Sequence, residues 1–497
     1  MNGMVERELK LEVPDRFSLA RMDPQLDGYV ASEVRFQRLH TVYYDTPDLR
    51  LTRWGCSLRF RLGEGWTLKI PVPRRSSAAL VREEHVFPGV ARTVPPAAIE
   101  VATAYLRGVT PIPVAELRTL RTSRHMRSDG GDDVAEVVED DVRVVDGTHV
   151  VDRFRQLEIE LTQTAPDELL SVLRRAFREE GAGKPDPVPK NVRALGGAAS
   201  AAELDVTEPR RNALGGELVR AALASSVVRF MRHDARLRLD PDAEAVHQAR
   251  VAIRRLRSDL RSFAPLLDAD WARELRARLR WPQEILSAAR DADVVLENLD
   301  RASIALPDID RRRLGEVLAP LQAARERAYA GVRTMLGDPR YVPMLCALVD
   351  AVKRPPLNEL AGEPGRDAIA VILSGGWKVL RRRVRGRSPI PSDRELHGIR
   401  IAAKRVRYAA EALAPVAGRC AERLACEAEE LQSVLGAQHD AVMACERLRA
   451  LDLDAPLAFV AGELAAVAHA SDRVARRGWR DAWCASKKTY RSLRSGR

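Results

Sequence analysis

The sequence predicts an α+β chain of more than one domain: antiparallel β-strands first, then an all-helical C-terminal half with an internal duplication. Three observations carry this. Apolar residues alternate with period two up to about Thr162 and recur with a period near 3.6 beyond Glu217. Between these regions, from Lys184 to Gly216, prolines, glycines, alanines and serines mark a linker. Finally, a basic motif opening on His247 returns at His397. A length of 497 residues suits two or three domains, each burying its own core.

Eight strands are expected, starting near Val5, Gln37, Gly55, Trp66, Leu80, Leu117, Asp133 and Phe154. In the first, Glu6, Glu8 and Lys10 share one face, with Val5, Leu9 and Leu11 on the other. Leu58, Phe60 and Leu62 oppose Arg59 and Arg61, and Leu68 and Ile70 oppose Thr67 and Lys69. In the last, Glu158 and Glu160 face away from Leu157, Ile159 and Leu161. Four carboxylates on two strands suit Mg²⁺ or Mn²⁺, which would bridge them to phosphate oxygens. Alternation does not say which face is enclosed, so a charged face meeting solvent on a half-buried sheet fits equally well. A helix is expected over residues 168–180.

In the helical half, His247, Arg250, Arg254, Arg257 and Arg261 form a stripe beside Ile253, Leu256, Leu260 and Phe263. His397, Arg400, Lys404 and Arg407 repeat it beside Ala403, Val406, Ala410 and Leu413. Arg255 and Arg405 stand next to the stripes at matching positions. Each copy is followed by a related helix, Leu286 to Asp291 and Leu435 to Asp440, with Asp291 and Asp440 expected to orient the cations. One such helix reads as a solvated face. Its repetition favours two basic stripes, related by a pseudo-twofold axis, gripping successive phosphates of an extended chain.

A net charge of +11 and a pI near 9.6 point to a polyanionic partner, although 70 acidic residues absorb most of the excess. Aromatics, at 5%, are too few for stacking on single-stranded nucleic acid, so nucleic acid ranks below phosphate chains. Six cysteines form no C-x-x-C pair, as expected of reduced thiols, and no zinc site is expected. The charged N-terminus and the lack of a long apolar run predict neither signal peptide nor membrane anchor, hence a cytoplasmic protein.

Glu6-x-Glu8-x-Lys10, Tyr43-Tyr44-Asp45-Thr46, Arg59-x-Arg61, Lys69, Arg82-x-Glu84, Glu136 to Asp140 and Glu158-x-Glu160, in this order, resemble the CYTH family of triphosphate tunnel metalloenzymes. The repeat at His247 and His397 resembles the CHAD family of helical domains. The resemblances imply a CYTH domain over residues 1–195, a linker over 196–212 and a CHAD domain over 213–490, with repeats at about 213–345 and 365–490. The first implies an eight-stranded antiparallel barrel with a charged tunnel that hydrolyses inorganic triphosphate or a relative of it. The second implies binding of inorganic polyphosphate and an association with polyphosphate granules.

On that basis Glu6, Glu8, Glu158 and Glu160 are expected to hold the metal, with Asp140 and Glu136 supporting them. Arg59, Arg61, Lys69, Arg82 and Arg121 or Arg124 are expected to grip the triphosphate. Lys10, beside Glu6 and Glu8, would orient a phosphate or the attacking water. His247, Arg250, Arg254, Arg255, Arg257, His397, Arg400, Lys404, Arg405 and Arg407 are expected to bind polyphosphate. Tyr43 and Tyr44 read as packing residues, and Lys190 reads equally as a site cation or as linker. The alternatives are a non-catalytic polyphosphate-binding protein and, ranked lower for want of an adenine-recognition motif, a class IV-type adenylyl cyclase.

Overall fold

The computed structural model describes residues 4–5, 7–22, 28–72, 82–166, 168–385 and 391–494. The chain divides into two compact units, Met1–Glu203 and Leu204–Arg497. The first extends beyond the boundary expected at residue 195, for reasons given below.

Its strands are β1 (Met4–Val5), β2 (Arg7–Glu12), β3 (Tyr29–Ala31), β4 (Arg35–Asp45), β5 (Ser57–Arg61), β6 (Gly65–Pro71), β7 (Arg82–Phe87), β8 (Ile112–Ser128), β9 (Asp133–Asp146) and β10 (His149–Leu161). They pair antiparallel in the order β1-β7-β6-β5-β4-β8-β9-β10-β2, with β3 on β8. β1 and β2 flank Glu6 in one stretch of chain. The ladder therefore starts and ends on the same segment, as a sheet curled into a barrel requires. Three-residue β3 was not expected, being too short to display alternation. β9 turns into β10 through Gly147, whose φ of 59° suits a tight hairpin.

Apolar cover lies on the outer face of this sheet. Leu11, Leu157 and Ile159 are fully buried with Leu169, Leu173 and Phe177, which recur every fourth residue along α4 (Glu168–Glu179). Each such side chain contributes about 1.5–3 kcal/mol on burial. Asp45 accepts backbone N–H groups of Thr46, Leu51 and Thr52 at 2.7–2.8 Å and so fixes the turn containing α1 (Arg50–Arg53). The short helices α2 (Pro96–Val101) and α3 (Thr103–Leu106) precede β8. α5 (Lys190–Leu195) and α6 (Gly197–Ser200) follow α4.

The first unit ends on an anchor. Glu203, 6% exposed, accepts two bonds from Arg107 at 2.6 and 2.8 Å and one from the Trp54 indole at 2.6 Å. Glu203→Ala strands a buried guanidinium and is expected to destabilise this unit by about 3–5 kcal/mol, read as a lowered urea midpoint in a probe of Trp54 fluorescence. An unchanged midpoint would refute the anchor.

The second unit is helical: α7 (Gly215–Leu239), α8 (Ala243–Ser262), α9 (Ala269–Arg278), α10 (Arg280–Ser303), α11 (Asp308–Arg311), α12 (Leu314–Leu336) and α13 (Tyr341–Lys353) form the first copy. The second comprises α14 (Ile369–Val384), α15 (Asp393–Ala417), α16 (Arg419–Arg449) and α17 (Ala455–Arg494). Ile253, Leu256, Leu260 and Phe263, like Ala403, Val406, Ala410 and Leu413, are buried as the stripes predicted. α8 packs on α15 and α10 on α16, so equivalent helices of the two copies meet. Among the described residues no helix is long and apolar enough to cross a membrane.

Candidate functional site

Strand alternation sends charge inward in the first unit. A cavity of about 120 Å³ is lined by seven cations, Lys10, Arg59, Arg61, Lys69, Arg82, Arg121 and Lys190, against the carboxylates of Glu8, Glu84, Glu158 and Glu160. The excess positive charge suits a small, multiply charged anion. Lys10 is held by Glu8 at 2.9 Å and Glu158 at 3.3 Å, and Arg82 reaches Glu8 at 3.3 Å. Lys69 and Arg59 approach Glu84 at 3.0 and 3.5 Å. Arg61 is held by Glu64 at 2.9 Å and by the Thr41 hydroxyl at 3.1 Å. Burial lowers the Arg61 guanidinium, and neighbouring Arg59 adds to the shift.

Most expected tunnel residues meet here, and three, Arg124, Asp140 and Glu136, lie outside the cavity lining. Arg124 lies three residues from Arg121 and thus on the opposite face of β8, where it donates to the carbonyls of Ser32 and Met22. Asp140 is fully buried behind the cavity wall. It accepts a bidentate pair from Arg121 at 2.9 and 2.8 Å and an ammonium bond from Lys190, so it orients cations and does not line the cavity. Glu136 is the register partner of Glu160 but lies outside the cavity lining. Glu6 lies outside the described residues. Tyr43 lines the cavity, whereas Tyr44 points the other way and packs on Trp66 at 4.7 Å.

Lys190 belongs to the site, a role that local pattern left even with linker. The segment before it runs beside β2: Glu12 N–H donates to the Lys184 carbonyl at 3.0 Å and Asp186 N–H to the Lys10 carbonyl at 2.9 Å. α5 then starts after Pro189 with the Lys190 ammonium 2.7 Å from Glu158. This long-range pairing decides between the two readings.

Glu158 shows the electrostatics. Burial alone would raise its carboxyl, but Lys190, Lys10 and Arg121 outweigh this and hold it well below the usual range. Asp140 is likewise held low against burial by Lys190 and Arg121. Lys10 is raised because Glu158 and Glu8 overcome its burial. Depressed carboxylates contribute stability above their unfolded pKa, about 4, and that stability is lost as pH falls through the folded values. The melting temperature of the first unit's transition should therefore drop as pH is lowered below about 4, and drop less in Glu158→Gln. Equal acid sensitivity in the two proteins would contradict the assignment.

The donor set suits a hard divalent cation. Glu8 and Glu160 are register partners on the cavity face, and like charges directly opposite are unfavourable unless a cation lies between them. Among the described residues no three His, Cys, Asp or Glu side chains are already gathered to hold a metal.

In the helical unit the two basic stripes form a seam. Arg250 is half-buried and lowered to about 10, first by burial and then by Arg254. Burial with Arg254, Arg400 and Arg250 pushes Lys404 down to about 5. Arg254 donates to the Tyr408 hydroxyl at 2.8 Å, across the repeat boundary. Asp291 and Asp440 supply the opposing charge near Arg250 and Arg400. Other expected residues sit elsewhere. Arg255 and Arg407 both bind Glu411, and Arg407 also binds Glu429 at 2.9 Å, so these two are neutralised. Arg257 donates to Gln283 at 2.6 Å and, with Arg261, Arg276 and Arg405, belongs to a second cationic group lowered by burial and mutual repulsion.

With this geometry, two domain families match: CYTH over residues 4–190 and CHAD over residues 221–449. The chain belongs to the CYTH–CHAD family. Two relatives align over 476 residues at 30% identity, covering 88% of each chain. They are "Uncharacterized protein Rv2226" of Mycobacterium tuberculosis (strain ATCC 25618 / H37Rv) and "Uncharacterized protein MT2285" of Mycobacterium tuberculosis (strain CDC 1551 / Oshkosh). PptA from Streptomyces chartreusis has a TM-score of 0.45 at 22% identity, over 55% of this chain and 99% of its own. The CHAD domain from the plant Ricinus communis has a TM-score of 0.44 at 23% identity, over 55% and 94%. The CYTH domain is of the triphosphate tunnel metalloenzyme type, whose members handle phosphate compounds and generally depend on a divalent metal. The CHAD domain carries the cationic seam.

Proposed function

We propose that the CYTH domain hydrolyses inorganic triphosphate with a divalent metal, Mg²⁺ or Mn²⁺, and that the CHAD domain binds inorganic polyphosphate in the cytoplasm, bringing the enzyme to polyphosphate granules. The observation that carries the first part is the cavity with seven cations and four carboxylates on facing strands. Arg59, Arg61, Lys69, Arg82, Arg121 and Lys190 bind the phosphate oxygens and neutralise charge that moves onto the leaving group. Asp140 keeps Arg121 and Lys190 aimed into the cavity. Lys10, fixed between Glu8 and Glu158, orients a terminal phosphate or the attacking water. Glu8 and Glu160, with Glu158 and Glu6, are the carboxylates that would hold the metal, which when bound screens them from the substrate and polarises a phosphoryl oxygen. Water attacks a terminal phosphorus, the bridging P–O bond breaks, and orthophosphate and pyrophosphate leave.

A second reading is a non-catalytic phosphate-binding protein, favoured by the lack of a gathered three-ligand metal group among the described residues. One assay separates them. Purified protein is given tripolyphosphate or ATP, with Mg²⁺, with Mn²⁺ or with chelator. Metal-dependent orthophosphate release from tripolyphosphate supports the first reading, inertness under every condition supports the second, and cyclic AMP from ATP would indicate the cyclase.

A further inference from the structure

We propose that the CHAD seam takes up protons as it binds a phosphate chain, so that polyphosphate is held more tightly as pH falls. This rests on the polyphosphate reading above. Four titratable nitrogen bases on three helices share the same arginines: His247 on α8 and Lys404 on α15 both meet Arg250 and Arg254, and Lys404, His397 on α15 and His439 on α16 all meet Arg400. The His397 and His439 rings lie 4.2 Å apart at 41°. Nδ1 of His247 and His397, and Nε of Arg250 and Arg400, are buried with no hydrogen-bond partner. The seam therefore presents more basic nitrogen than the protein itself satisfies.

The charges facing each base decide its state. Lys404 meets Arg254, Arg400 and Arg250, with Asp440 opposing them. His397 meets His439, Arg400 and Lys404, with Asp291 opposing. His439 meets Arg400 and Lys404, with Asp393 opposing. His247 meets Arg290, Arg250 and Arg254, with Glu244 opposing. Burial is the largest influence at all four, and the cations add to it. His397 and His439 fall to about 4 and Lys404 to about 5, so near neutrality they are uncharged in the free protein.

A polyanion laid along the seam reverses that balance. Each base gains a phosphate oxygen as acceptor and a negative field, which raises its pKa in the complex above its value in the free protein. A group that binds its proton more tightly in the complex draws protons in on binding. Affinity then climbs as pH falls from the complex's pKa toward the free protein's, about 5 for Lys404 and about 4 for the two histidines.

The test is calorimetric titration of the full chain with long-chain polyphosphate at about pH 7, in two buffers of different ionisation enthalpy. The expected result is uptake of about one proton or more per bound segment, with affinity rising about tenfold per pH unit for each proton. The double variant His397→Gln/His439→Gln and, separately, Lys404→Met should each take up fewer protons. Binding with the same heat in both buffers would overturn the proposal and leave the polyphosphate reading standing. Undiminished uptake in both variants would also overturn it, and absence of binding at any pH would remove both.

Discussion

Glu160→Gln should cut metal-dependent phosphate release from tripolyphosphate by about a hundredfold, the scale on which one preorganised electrostatic group contributes to a transition state. The amide keeps the shape of the side chain and removes its charge. It also relieves the like-charge opposition to Glu8 across the β2–β10 ladder, which offsets part of the lost attraction to Arg121. That combination is diagnostic. A ligand lost from a metal shell lowers turnover at low Mg²⁺ or Mn²⁺ more than at high concentration, whereas a merely structural glutamate lowers the melting temperature first. Full activity in Glu160→Gln at every metal concentration would sink the assignment of this carboxylate.

Arg400→Glu should weaken polyphosphate binding by about a hundredfold or more, within the 2–5 kcal/mol range for loss of a buried, hydrogen-bonded charge at an interface. Arg400 sits where the two repeats meet, with Arg254 and Asp291 of the first copy beside it and Asp440 opposing its charge. The matched control is Arg273→Glu, the same change of charge on an exposed arginine paired within its own helix to Asp270. If both variants lose affinity equally, binding reflects net charge alone and the seam has no special place. If Arg400→Glu alone fails, and its residual binding depends less steeply on salt, phosphates are counted at the seam.

Much of this was legible before folding, because alternation is a local property. Glu8, Lys10, Arg59, Lys69, Glu158 and Glu160 were assigned to common faces from spacing alone, and those faces line one cavity. What spacing lacks is the partner across the ladder. The β8–β9 register sets Asp140, expected to support the metal carboxylates, opposite Arg121, and strand alternation turns Arg124 to the face away from Arg121. The helical half repeats the lesson. Arg254 and Arg255 are neighbours in the same motif, yet one reaches the Tyr408 hydroxyl while the other is neutralised by Glu411. Helical periodicity places residues on a face, and only the opposing helix decides which of them keeps an unbalanced charge.

The ladder that begins and ends on the N-terminal segment also sets a timetable for synthesis. Arg7 to Glu12 are made well before their partners, Gln156 to Leu161, which follow only after all the strands in between. Until that last hairpin has left the ribosome, β2 lacks both β10 and the later 184–186 segment that it ends up beside, and its row of unsatisfied amides stays available to other chains. The nascent domain therefore cannot finish folding piece by piece. Its first long strand is paired only late, when β10 returns to it.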